Sequence, residues 1–121
     1  MSSRISDQDF ESYVEEALAS VPARFRRYLE NIVIVVEAEA SAEDYEQTGT
    51  PDEEELFGIF RGVPFFDRGS VVSSLPAQIA IFREPILRGC GTRGEAVREI
   101  RDTVVHEIGH MLGLDDEEMP Y

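Results

Sequence analysis

His106-Glu107-Ile108-Gly109-His110-Met111-Leu112-Gly113-Leu114-Asp115-Asp116 spells H-E-x-x-H-x-x-G-x-x-D. On an α-helix, residues four apart sit about 40° apart around the axis, so His106 and His110 project the same way. Two imidazoles on one helix face can share a divalent metal, and zinc is the usual occupant. Glu107 flanks them, where a carboxylate can take a proton from a metal-bound water. Gly113 can adopt the left-handed conformation that ends a helix and turns the chain back. That turn can bring Asp116 round as a third ligand, leaving the fourth place for water as a catalytic site requires.

The residues upstream say which way this helix faces. Val97, Ile100, Val104, Ile108 and Met111 recur at helical spacing, widened by Val105 and Leu112 into one apolar stripe. The two histidines lie on roughly the opposite side. The chain has two histidines in all, and both fall in the motif. An amphipathic helix with incidental surface histidines would not call for that coincidence. A helix from Gly94 to about Leu112 is therefore expected, carrying one zinc per chain on His106, His110 and Asp116, with Glu107 as the catalytic base.

Working backwards, Ala77 to Phe82 reads as a strand isolated by Pro76 and Pro85, with helical residues from Pro85 to about Arg88 and a glycine-rich connection from Gly89 to Gly94. Leu56 to Phe60 reads as another strand, ended by Gly62 and Pro64, and Phe65 to Ser70 as a turn with an aromatic anchor. Ile32-Val33-Ile34-Val35-Val36 is a dense β-branched run, expected to be the central strand, buried on both faces. Ser6 or Asp7 can cap a first helix to about Ser20 with Phe10, Val14, Ala17 and Leu18 on one face. Pro22 suits the start of a second, shorter helix to Leu29 with Phe25 turned inward. Residues 37 to 55 carry nine acidic side chains and no basic one, and are expected to form an acidic surface loop. Short strands mixed with helices, without regular alternation, define a small α+β domain spanning 1–121.

Composition narrows the function. The chain has 121 residues, 42% of them hydrophobic, and a formal net charge of −14. Its positive charge is all arginine. Such acidity repels phosphate backbones, so nucleic acid is not an expected partner. No apolar run is long enough to span a bilayer, and the N-terminus lacks the basic-then-apolar pattern of a signal peptide. The lone Cys90 excludes an internal disulfide framework and reads as a small buried filler. A cytoplasmic location with no membrane partner is expected.

Two resemblances sharpen this reading. His106 to Asp116 resembles the metzincin-type zincin motif, with Asp116 standing where metzincins have histidine. More specifically, Leu56 to Asp116, including G-I-F-R-G-V-P and L-P-A-Q-I-A-I-F-R-E-P-I-L-R-G-C-G, resembles the small bacterial family called "possible zinc metallopeptidase". That resemblance implies a minimal zincin-like metalloprotease fold: a small mixed sheet packed on helices, the metal motif on the C-terminal helix, and an edge strand over it. It also implies that Asp116 rather than Asp115 is the third ligand, by the metzincin spacing of six residues after His110. Full metzincins place a methionine turn well beyond the third ligand, whereas Met119 is three residues past Asp116.

The leading expectation is a zinc-dependent peptidase acting on peptides or unfolded protein segments, with the substrate pairing along an exposed strand at Gln78 to Phe82. The alternative is a zinc-binding structural or interaction module without turnover. A third reading is a metal-dependent RNA endonuclease, since small bacterial proteins with a related three-histidine helix motif take part in ribosomal RNA maturation. Asp116 in place of histidine, Glu107 beside His106 and the charge of −14 weigh against it.

Overall fold

The computed structural model describes residues 5–49, 55–61 and 77–113. The described chain is α+β: five helices and a small three-stranded mixed sheet. Helix α1 (Asp7–Ala19) is capped by Ser6, whose hydroxyl accepts from the Asp9 N–H at 3.0 Å. It buries Phe10, Val14 and Ala17, the face that helical spacing predicts. Pro22 precedes α2 (Ala23–Arg26), which tightens into a 3-10 turn over Arg27–Asn31, and Phe25 is buried as expected. Strand β1 (Ile32–Glu37), helix α3 (Ala42–Thr48), strand β2 (Gly58–Arg61) and strand β3 (Ala77–Phe82) follow. Helix α4 (Arg83–Gly89) grows directly out of β3, and α5 (Arg93–Leu112) carries the histidine motif.

The sheet order is β1-β3-β2, with β1 parallel and β2 antiparallel to β3. This corrects the expectation for Ile32–Val36. Among the described residues, β1 has a single strand partner, and Val33 is 43% exposed. The central strand is β3, whose Ala77, Ile79, Ala80, Ile81 and Phe82 are all buried. A β-branched run reports a preference for the extended conformation, and says little about how many neighbours the strand acquires. In β3 two alanines thin the strand where it is covered on both sides. It follows that Gln78–Phe82 cannot take an added peptide strand, because both of its edges are already paired.

Side chains alternate across the sheet. Ala77, Ile79 and Ile81 of β3 join Phe10, Phe25, Ile86, Ile100, Val104, Val105 and Ile108 in the main core between the sheet and the helices. Ala80 and Phe82 face the other way and form a smaller cluster with Ile59, against which Val35, Ala40 and Leu56 pack. Half-buried Cys90 packs against the main core, and burial, followed by nearby Glu99 and Glu95, pushes its thiol pKa up.

The acidic stretch is not a loop over residues 37 to 55. Glu37 ends β1, and α3 occupies Ala42–Thr48. Ser41 caps α3 reciprocally: its hydroxyl accepts from the Asp44 N–H at 3.1 Å, and Asp44 accepts from the Ser41 N–H at 2.9 Å. Gly49, at φ 72°, ends the helix in the left-handed region. Asp44 is 4% exposed and is held by Arg61, which also pairs with Glu37 through two hydrogen bonds of 2.9 Å. Arg88 likewise joins Glu39 to Glu55. The bases that offset this acidity lie outside the stretch, where a count confined to it does not see them.

Candidate active site

Helix α5 begins at Thr92, whose hydroxyl accepts from the Glu95 N–H at 3.1 Å. It ends at Gly113, at φ 82°, whose N–H turns back to the His110 carbonyl at 3.1 Å. Between these caps, Val97, Ile100, Val104, Val105 and Ile108 are buried against the sheet and α1, and Met111 packs at their margin. Leu112, placed with the stripe by its spacing, is 40% exposed, because it is the last residue of the helix, next to the Gly113 cap. Anchoring one face in this way presents the other to solvent.

That outer face holds the histidines. His106 is half-buried and His110 exposed, and their rings stand edge to face with centroids 6.2 Å apart. They border an open cavity of about 350 Å³, together with Phe57, Gly58, Glu99, Asp102, Thr103 and Glu107. Strand β2 forms the cavity's opposite wall. It can lie this close because position 58 is glycine: a Cβ there would stand 2.6 Å from the Thr103 methyl carbon and 2.9 Å from the Ala80 carbonyl oxygen.

Glu107 reaches across this gap. Its Oε1 accepts from the main-chain N–H of Phe60 on β2 at 2.9 Å, and its Oε2 lies 4.0 Å from Nδ1 of His110. Burial raises the Glu107 pKa above the ordinary carboxylate value, and this outweighs the opposing pull of the Phe60 N–H and the two histidines. Glu99 is raised as well, by burial and by Asp102, against a hydrogen bond from the Thr103 hydroxyl and the nearby His106. Two carboxyl groups beside the histidine pair thus have pKa values raised by burial.

The structure brings His106, His110 and Glu107 together as the motif predicts. Asp116 lies outside the described residues, as do Asp115, Met119 and the expected turn at Phe65 to Ser70. Among the described residues there is no group of three ligating side chains placed to hold a metal ion. The residues that are present suit zinc: two neutral-capable imidazoles one helical turn apart, facing an open cavity with carboxylates at its rim. Sequence reasoning missed Glu99 and Asp102 as lining residues. The same helical spacing would have found them, since 99, 102, 103, 106 and 110 follow one face of α5. Gly58 and the Phe60 N–H carried no such signal, because their contacts with α5 bridge distant parts of the chain.

Comparison with known proteins agrees with this architecture. A conserved hypothetical protein from Thermus thermophilus superposes with a TM-score of 0.59 at 22% identity, over 89% of this chain and 94% of that one. At that identity the likeness speaks for the fold. No curated protein matches the sequence. The model of the zincin-like metallopeptidases matches residues 29–121, and the chain belongs to that family. No helix among the described residues is long and apolar enough to cross a membrane.

Proposed function

We propose that the protein is a zinc-dependent peptidase, with His106, His110 and Asp116 as ligands and Glu107 as the proton-transfer group. The observation that carries this reading is the placement of Glu107. Its carboxylate is largely buried on the flank of the histidine pair, at the rim of a cavity open to solvent. Zinc bound there supplies Lewis acidity toward water and the substrate carbonyl. Oε2 of Glu107 takes the proton of the attacking water and passes it to the departing amine nitrogen.

The sheet supports a peptide as the substrate. Peptides pair with strand edges through main-chain hydrogen bonds, which need no particular side chains. With β3 enclosed, the strand bordering the histidines is β2, and a peptide or unfolded protein segment lying beside it passes the site, with the outward Phe60 N–H kept for Glu107 and not for pairing. A site that only holds zinc for stability would close the fourth position with protein. Glu107, the acidic side chain next to His106 in the motif, is instead engaged with the Phe60 N–H, which favours the catalytic reading over a structural module. Zinc affinity of single variants tests the ligand set. Asp116→Ala is expected to lose the metal and Asp115→Ala to keep it, the latter serving at most to orient a ligand. The opposite pattern refutes the assignment.

A further inference from the structure

We propose that Phe60 is a positioning residue for Glu107: its main-chain N–H fixes one carboxylate oxygen so that the other is left facing the histidine pair. The inference rests on the peptidase reading for its catalytic consequence, but the contact itself stands apart from it. In an antiparallel pair, residues alternate between those that bond to the partner strand and those whose N–H and C=O point away. The Phe82 N–H donates to the Phe57 carbonyl at 2.9 Å, which puts Phe57, Ile59 and Arg61 on the bonded positions opposite Phe82, Ala80 and Gln78. Phe60 falls on the alternate, outward position. Outward N–H groups on an edge strand are ordinarily left to water or covered by some other device. Here the donor is taken by a side chain 47 residues further on.

The contact sets the direction of Glu107, whose side chain is 21% exposed. Anchoring Oε1 to the strand, with the Cα fixed on α5, removes most of the side chain's rotational freedom. Oε2 then lies 4.0 Å from His110 Nδ1, too far for a direct hydrogen bond and so not used up by that histidine. A gap of that size is one that a single water can occupy. Without the anchor, the carboxylate could rotate out toward solvent and leave the cavity. Gly58 belongs to the same device, since it lets β2 lie this close to α5: a Cβ there would stand 2.6 Å from the Thr103 methyl carbon.

Two measurements on the full chain test this. In the metal-free protein, amide exchange at Phe60 is expected to speed up by about tenfold or more in Glu107→Ala, the value of a charge-assisted hydrogen bond. It should stay slow in Glu107→Gln, which keeps an acceptor oxygen, while protection at Ile59 and Arg61 confirms that β2 is folded in each variant. Equal exchange at Phe60 in wild type and Glu107→Ala overturns the proposal. The second measurement replaces the Phe60 amide by an ester, with phenyllactic acid at position 60, so that only the N–H is lost. On unfolded casein, kcat should fall about tenfold or more while KM and zinc content hold within about twofold, since the loss concerns the reacting group and not binding. An unchanged kcat also overturns it. If the wild type itself hydrolyses nothing, the peptidase reading fails, and the exchange measurement alone decides whether Phe60 holds Glu107.

Discussion

Helices α3 and α5 are built with the same ends and different middles. Each is capped by a hydroxyl side chain, Ser41 or Thr92, and each stops at a left-handed glycine, Gly49 or Gly113. Between the caps, α5 buries five branched aliphatic side chains, whereas the buried residue of α3 is Asp44. One helix is held by apolar area, the other by its cap and by an ionised partner from β2, Arg61. An apolar stripe can be read from the spacing of residues within one segment. An ion pair between Asp44 and Arg61 cannot, because neither residue's neighbourhood points to the other.

The contrast is sharpest in the core. Ile100 is fully buried on α5, and Ile100→Ala is expected to cost about 2–5 kcal/mol, from lost burial and the cavity left behind. Leu112→Ala, on the same apparent stripe but 40% exposed, should cost less than about 1 kcal/mol. Urea denaturation of both variants checks this. Equal losses would mean that α5 docks differently. A somewhat smaller effect is expected where α5 meets β2. The methyl group of Gly58→Ala meets the Thr103 side chain and the Ala80 carbonyl, and the overpacking should destabilise by about 1–3 kcal/mol. Thr103→Ala alongside it should restore only part of that, because the carbonyl contact remains.

A pH series separates the two helices by sign. Burial alone would raise the Asp44 pKa, but the Ser41 cap and Arg61 outweigh it and hold it below its ordinary value of 3.8. A depressed folded-state pKa stabilises above the unfolded value and is lost as pH falls through the folded one. Helix α3 should therefore keep its protection at neutral pH and lose it in strong acid, below the ordinary range of aspartate. Glu107 behaves oppositely. Its folded pKa is raised, chiefly by burial, so its favourable contribution is present below the ordinary glutamate pKa and vanishes as pH rises through the folded value. In metal-free protein, mild acidification should thus steady the region around Glu107 before α3 begins to fray. Hydrogen exchange by residue between about pH 3 and 7, a range set by these two directions of shift, reads both helices at once. Fraying of α3 ahead of any change near Glu107 would contradict the assignment of charge to the two sites.

These differences also mark how far the sequence could be read. The zincin-like family, the α+β class, the burial of Phe10, Phe25 and Ile108 and the shared face of His106 and His110 all rest on local periodicity or a contiguous motif, and all are borne out. The misreadings came from long-range facts. The β-branched run at Ile32–Val36 was more strand-like than Ala77–Phe82, yet the second lies in the middle, because strand order depends on how the chain returns to the sheet. The Ser41-x-x-Asp44 cap is local to the acidic segment, but the charges that balance it, Arg61 and Arg88, lie far along the chain. The bond from Phe60 to Glu107 joins two elements through a main-chain atom, which no residue type announces.

The central claim is that Glu107 transfers protons and does not hold the metal. The direct test measures zinc content and hydrolysis of unfolded casein together, for wild type and Glu107→Gln. The substitution keeps the shape and an acceptor for the Phe60 N–H, so zinc content and melting temperature should be nearly unchanged. Hydrolysis should fall by about 100- to 10,000-fold, the usual contribution of a positioned acid–base group. Loss of zinc in Glu107→Gln, or equal hydrolysis by the two proteins, would contradict the account.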